Sequence, residues 1–148
     1  MLTIRRATID DVEVLTHMSR QFHNFAPHAA MINATDTELE AAIHALMEHG
    51  CLFVADLGGV VVAMLGAIIN PIWFCPRVKM AHELAWWVNE DARGSRAAIL
   101  LVKAYEAWAK EQGAQVATMS DLMVNTTVER MLNRMGFQAS ERTYAKEL

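Results

Sequence analysis

A chain of 148 residues, 53% of them apolar, is the right size for one domain around one core, spanning residues 1–148, and leaves no room for two. Its net charge of -4, with 13 basic residues scattered along the sequence, argues against nucleic-acid binding, which needs a concentrated basic face. A membrane segment is not expected either: the longest apolar run, Val60 to Ile69, contains Gly66 and suits a buried strand better than a span.

The start Met-Leu-Thr-Ile-Arg-Arg lacks the basic-then-apolar order of a signal peptide, so a cytoplasmic protein is expected, with Cys51 and Cys75 as reduced thiols. Leu2 to Arg6 reads as a first strand. Thr8 then caps a helix whose positive end is met by Asp10 and Asp11, and whose apolar face runs through Val12, Leu15, Met18 and Phe22 until Pro27 stops it. The stretch from Phe22 to Asn33 has no clean period, mixes rings with hydrogen-bonding groups and reads as a surface connection. Thr35-x-x-Glu38 is a capping box for a second helix, buried along Leu39, Ala42, Ile43, Leu46 and Met47 and ended by Gly50. His44 and His49, five apart, share no helix face and are read as surface residues; no metal site is expected.

Cys51 to Asp56 and Val60 to Ile69 form a hairpin across Gly58-Gly59, with Asn70-Pro71 ending its second strand. Ile72 to Lys79 is expected to be a ring-rich loop in which Trp73 and Phe74 frame a ligand or cover the sheet edge. The next strand carries His82, Glu83 and the adjacent Trp86 and Trp87, which must face opposite ways. A polar loop at Asn89 to Ala92 leads into a helix from about Ser95 to Gln112, apolar at Ile99, Leu100, Val102 and Tyr105. Its unpaired N-H groups, with Gly94, a capping Ser95, Arg93 and Arg96, point to an anion such as a phosphate or pyrophosphate. Val116 to Met119 is a further strand, Thr126-x-x-Glu129 caps a short helix, and Gly136-Phe137 turns it into a last strand reaching about Tyr144.

Val88, Arg93, Gly94 and Ala98 together resemble the acetyl-CoA loop of the GNAT N-acetyltransferases, whose usual form is Val-x-Pro-x-x-Gln/Arg-x-x-Gly-x-Gly/Ala. Arg93 and Ala98 match; Glu90 replaces the proline and Arg96 stands at the first glycine. The ending from Arg130 to Phe137 is similar to the family's second signature, with Leu132 where a tyrosine is usual. The resemblance implies an α/β (α+β) acyl-CoA N-acyltransferase fold, a mixed, mostly antiparallel sheet flanked by helices in the order β-α-α-β-β-β-α-β-α-β. It implies acetyl-CoA or coenzyme A bound by Trp87, Val88, Arg93, Gly94, Ser95, Arg96, Ala97, Ala98 and Asn125, and an amine acceptor on a small molecule or peptide.

Acetyl transfer needs a neutral amine, a donor for the developing oxyanion and a tolerable leaving thiolate. His82 is on the face of Val88 if no bulge intervenes and is the first choice of base; Glu83 is the second, re-aimed only by a bulge. Leu132 cannot protonate the leaving sulfur, a role for which Tyr144 or water would have to stand in. A CoA-binding module with little catalysis is therefore the alternative, and a nucleotide-binding domain ranks below it because no lysine-bearing phosphate loop is present. Exposed C-terminal strand edges make a homodimer the expected form of self-association.

Overall fold

The computed structural model describes residues 1–122 and 126–148, the side chain of Thr126 excepted. Five strands, β1 (Leu2–Arg6), β2 (Cys51–Leu57), β3 (Val60–Ile72), β4 (Cys75–Val88) and β5 (Ala114–Thr118), lie side by side in chain order. The first four pair antiparallel, and β5 joins β4 in parallel. Residues of β2 alternate cleanly between the two faces, as a period-2 strand buried on both sides must. Cys51 and Ala55 pack toward α3 (Ala97–Glu111), with Leu101, Val102 and Tyr105; Leu52 and Val54 pack toward α1 (Val12–Phe25) and α2 (Asp36–His49), against Leu15, Met18 and Ile43. Burial pushes the Cys51 thiol up to about 12, so it remains an inert apolar core group.

The Thr35–Glu38 capping box forms, whereas the one expected at Thr126 involves a side chain outside the described residues. Thr35 Oγ1 accepts from the Glu38 amide, whose carboxylate accepts from the Thr35 amide at 2.7 Å; Asp11 closes the same loop on Thr8. Gly58 and Gly59 take φ of 63° and 93° at the hairpin tip, where a side chain would be strained. The next hairpin corrects two expectations. Asn70-Pro71 does not end β3, which runs on against Met80 and Lys79; beyond Ala67 it has no β2 neighbour, so the missing proline N-H faces an open edge. The expected loop from Ile72 to Lys79 is thus mostly strand, turning only at Trp73 and Phe74, which meet edge to face and stand 88% and 72% exposed.

The order matches the expected one as far as α4 (Thr126–Arg134), but the final strand to Tyr144 is absent. Phe137 packs on the α3-side core; beyond it 138–148 are exposed and form no strand, with too few apolar residues to offset the entropy of ordering. The outer edges of β1 and β5 have no strand neighbour among the described residues. None of the described helices is long and apolar enough to cross a membrane.

Candidate active site

The site is made by a parting of strands. β4 and β5 pair only from Lys79–Ala114 to His82–Thr118, while β4 continues six residues to Val88 bonded to β3 alone. The β4 backbone from Glu83 to Val88 therefore has one edge open to whatever enters between the strands. A bulge sits at this point, since Gly66 pairs with Ala85 but Ala67 with Glu83, leaving Leu84 without a partner. The bulge reverses the facing of everything before it. His82 and Val88 consequently face opposite ways, contrary to the bulge-free expectation.

Glu83 lies on the α3 side at the vertex of the gap, 8% exposed, and accepts from the Ser120 amide at 3.0 Å. Burial pushes its carboxyl up to about 7, the single amide bond only partly opposing this. No cation pairs with it among the described residues. His82 is half-buried on the other face, its Nδ1 3.3 Å from Thr118 Oγ1. Tyr105 is fully buried and donates to the Thr118 carbonyl at 2.9 Å, closing the vertex from the α3 side.

Trp86 and Trp87 face opposite ways as expected. Trp86 packs on the α3-side core with its Nε1 buried and without an acceptor among the described residues; Trp87 packs on the α1 side and donates to Asn89 Oδ1 at 3.2 Å. At the mouth of the gap the chain crosses Glu90–Ala92 as a 3-10 turn and reaches Gly94, exposed at φ 87° with open space where a Cβ would stand. The helix begins at Ala97, two residues later than expected, because Ser95 Oγ accepts from the Ala97 amide as an outlying cap. Leu100 to Arg96 is its first helical bond, so the amides of Ala98 and Ile99 have no partner within the helix. Arg96 and Ser95 are exposed, whereas Arg93 folds back so that Nε donates to the Val88 carbonyl at 3.1 Å.

The remaining expected residues are not gathered here. Asn125 lies outside the described residues. Tyr144 is 83% exposed on a segment without strand structure, and Leu132 is buried on α4. Trp73 and Phe74 stand at the far end of β4 from the gap. Among the described residues no cluster of His, Cys, Asp or Glu is arranged to hold a metal. The Ser120 amide and the Leu84 bulge have no sequence signal, being set by backbone position and register.

An open strand edge leading to the free amides of a helix N-terminus fits an extended molecule with an anionic end. The solved structures with similar folds include a transcriptional regulator from Bacillus halodurans C-125, with a TM-score of 0.81, 21% identity and full coverage of both chains. The aminoglycoside N-acetyltransferase AAC(6')-Iy, in complex with a bisubstrate analogue, aligns at a TM-score of 0.79 and 19% identity over 100% of this chain and 99% of its own. Glucosamine-6-phosphate N-acetyltransferase from Arabidopsis thaliana aligns at 0.76 and 15% over 99% of this chain and 97% of its own. No curated protein matches. The family model described as acetyltransferase (GNAT) family matches residues 12–137, most of the chain, and the protein belongs to that family.

Proposed function

We propose that this protein transfers an acetyl group from acetyl-CoA to a primary amine of a small molecule or peptide. The observation that carries the reading is the parted β4 edge with a buried carboxyl, its pKa near neutrality, at its vertex. Gly94, Ser95, Arg96, Ala97 and Ala98 would hold the diphosphate, Gly94 leaving open space, the Ala98 amide free to donate and Arg96 adding positive charge; the β4 backbone around Trp87 and Val88 would hold the pantetheine arm. Bound there, acetyl-CoA supplies an acyl group activated as a thioester.

The open amides of β4 are preset donors for negative charge developing on an acyl oxygen. Glu83 accepts the proton of the amine, directly or through one water; a carboxyl at about 7 is half ionised at neutral pH and protonates readily. This reading favours Glu83 over His82, which lies on the opposite face of the strand. Leu132 offers no proton to the departing sulfur, but a thiol of pKa about 8.5 leaves as thiolate.

A second reading, a CoA-binding module with little catalysis, is favoured by that buried Leu132 together with the exposed Tyr144. Free-thiol release from acetyl-CoA across an amine panel, paired with calorimetric titration by CoA, separates the two. Turnover with at least one amine is the expected result. Heat from CoA without turnover on any amine would favour the module, and no heat at millimolar CoA would remove both.

A further inference from the structure

Tyr105, midway along α3, is fully buried, and its hydroxyl donates to the Thr118 carbonyl at 2.9 Å. Thr118 is the last residue of β5 in register with β4. Two residues further along, the Ser120 amide donates to the Glu83 carboxyl at 3.0 Å. The helix hydroxyl therefore ties down β5 at the residue where pairing stops, just before the amide that meets the proposed base.

That tie reaches Glu83 through very little chain. A bond to the Thr118 carbonyl orients the planar Thr118-Met119 peptide, so only the two backbone dihedrals of Met119 separate it from the Ser120 amide. Ser120 is exposed, and Met119 packs on the α3-side core, a contact without directional preference. On its other side Thr118 is held to β4, its Oγ1 donating to the Ala81 carbonyl at 3.3 Å and lying 3.3 Å from His82 Nδ1. Burial, to which nearby Glu83 adds, pushes the Tyr105 phenol up, so its O-H remains a donor through neutral pH. The titratable groups around the vertex are Tyr105 on α3 and Cys51 on β2, both neutral near pH 7, His82 on the opposite face of β4, and Asp121 next to Ser120 in the chain. Ala97 and Ala98, at the start of α3, lie about two turns, roughly 12 Å, before Tyr105. One helix thus joins the proposed diphosphate grip to the proposed base.

We infer that Tyr105 is a positioning residue, its hydroxyl holding the end of β5 so that the Ser120 amide stays on the Glu83 carboxyl where the strands part. The inference rests on Glu83 as the base of the proposed transfer, and its test reads the free protein as well as turnover. The Glu83 carboxyl is titrated by carbon-13 NMR in the parent, in Tyr105→Phe and in Trp108→Phe, which thins the ring stacked on Tyr105 at 6.4 Å without touching the hydroxyl. Loss of the hydroxyl releases the Ser120 amide, the contact that opposes the rise of this carboxyl, and the Tyr105→Phe midpoint is expected to move up by about half a pH unit or more. Trp108→Phe is expected to lose stability while its midpoint stays within about 0.2 unit of the parent. With an amine that turns over, kcat of Tyr105→Phe is expected to fall about tenfold, with KM for acetyl-CoA changed less than about threefold. A Tyr105→Phe midpoint that stays put or moves down, an equal shift in Trp108→Phe, or a Tyr105→Phe chain that does not fold would each overturn the inference. A raised midpoint with kcat unchanged would leave the tie to Glu83 standing and remove Glu83 as the base. Where no amine turns over, the transferase reading fails and the titration still decides the role of Tyr105.

Discussion

Asp11 and Glu83 are both buried carboxyls, 6% and 8% exposed, and the sheet treats them in opposite ways. Asp11, beside β1, receives a two-point guanidinium bond from Arg5 at 2.8 and 3.0 Å and two further bonds from Thr8. The Arg5 bonds chiefly hold it down to about 2, against the opposing effect of burial. Glu83, where β4 leaves β5, receives one backbone amide and no cation among the described residues, and burial raises it to about 7. The difference separates a carboxylate committed to holding β1, β2 and the first turn together from one whose proton is exchangeable at neutral pH. A group of the second kind costs stability wherever it ionises, and is what a proton-transfer site requires.

The largest expected effect follows from removing that exchangeable proton. Glu83→Gln keeps an oxygen for the Ser120 amide but cannot take a proton from an amine. Its kcat/KM is expected to fall by about 10² to 10⁴ with CoA affinity unchanged. The rate of the unmutated protein should rise with pH through about 7, as the base becomes ionised, and then level off. A loss under about threefold, with the rise near pH 7 intact, would move the role to His82.

The strand order, the Thr35–Glu38 capping box and the opposed tryptophans were legible because each rests on local rules: alternation, side-chain caps and strand parity. The placement of the base was not. Parity counts from Val88 put His82 on its face, and Leu84 reversed the count through a bulge that depends on β3 rather than on β4's own residues. The run through Asn70-Pro71 escaped for the same reason, since whether a proline is tolerated depends on β2 stopping short beside it. The expected last strand failed in the other direction. Between Gln138 and Tyr144 only Ala139 and Tyr144 are apolar, too few to hold a strand down.

Stability against pH exposes the same contrast with opposite signs. Glu83 has its folded pKa raised, so its contribution is fully present below about 4.5 and is lost as pH rises through about 7. Asp11 has its folded pKa lowered, so its contribution is present above 3.8 and is lost as pH falls through about 2. Urea denaturation of Glu83→Gln is expected to show a gain of about 3 kcal/mol over the parent at pH 8, shrinking to near zero at pH 4. A constant gain across that range would mean that Glu83 does not titrate in the folded state. Arg5→Met should act in the reverse sense, costing about 1 to 2 kcal/mol at pH 7. That value is set below the cost of breaking a fully buried pair because the Arg5 side chain is 37% exposed and water reaches it. Asp56 adds a second contact that this variant also loses, at 3.1 Å from Arg5 Nε.

The smallest effect tests whether the cost at the strand parting is confined to Glu83. Trp86 Nε1 is buried on the same side of the sheet without an acceptor among the described residues, and an unmet buried donor costs about 1 to 3 kcal/mol. Trp86→Phe removes the donor and part of the packing area together. The two changes oppose each other, and the variant is expected to fall within about 1 kcal/mol of the parent where an ordinary buried tryptophan would lose more. A loss above about 3 kcal/mol would show that the indole is held by packing alone and that its nitrogen carries no penalty. In that case the unsatisfied end of β4 would reduce to a single carboxyl, and the contrast with Asp11 would rest on Glu83 by itself.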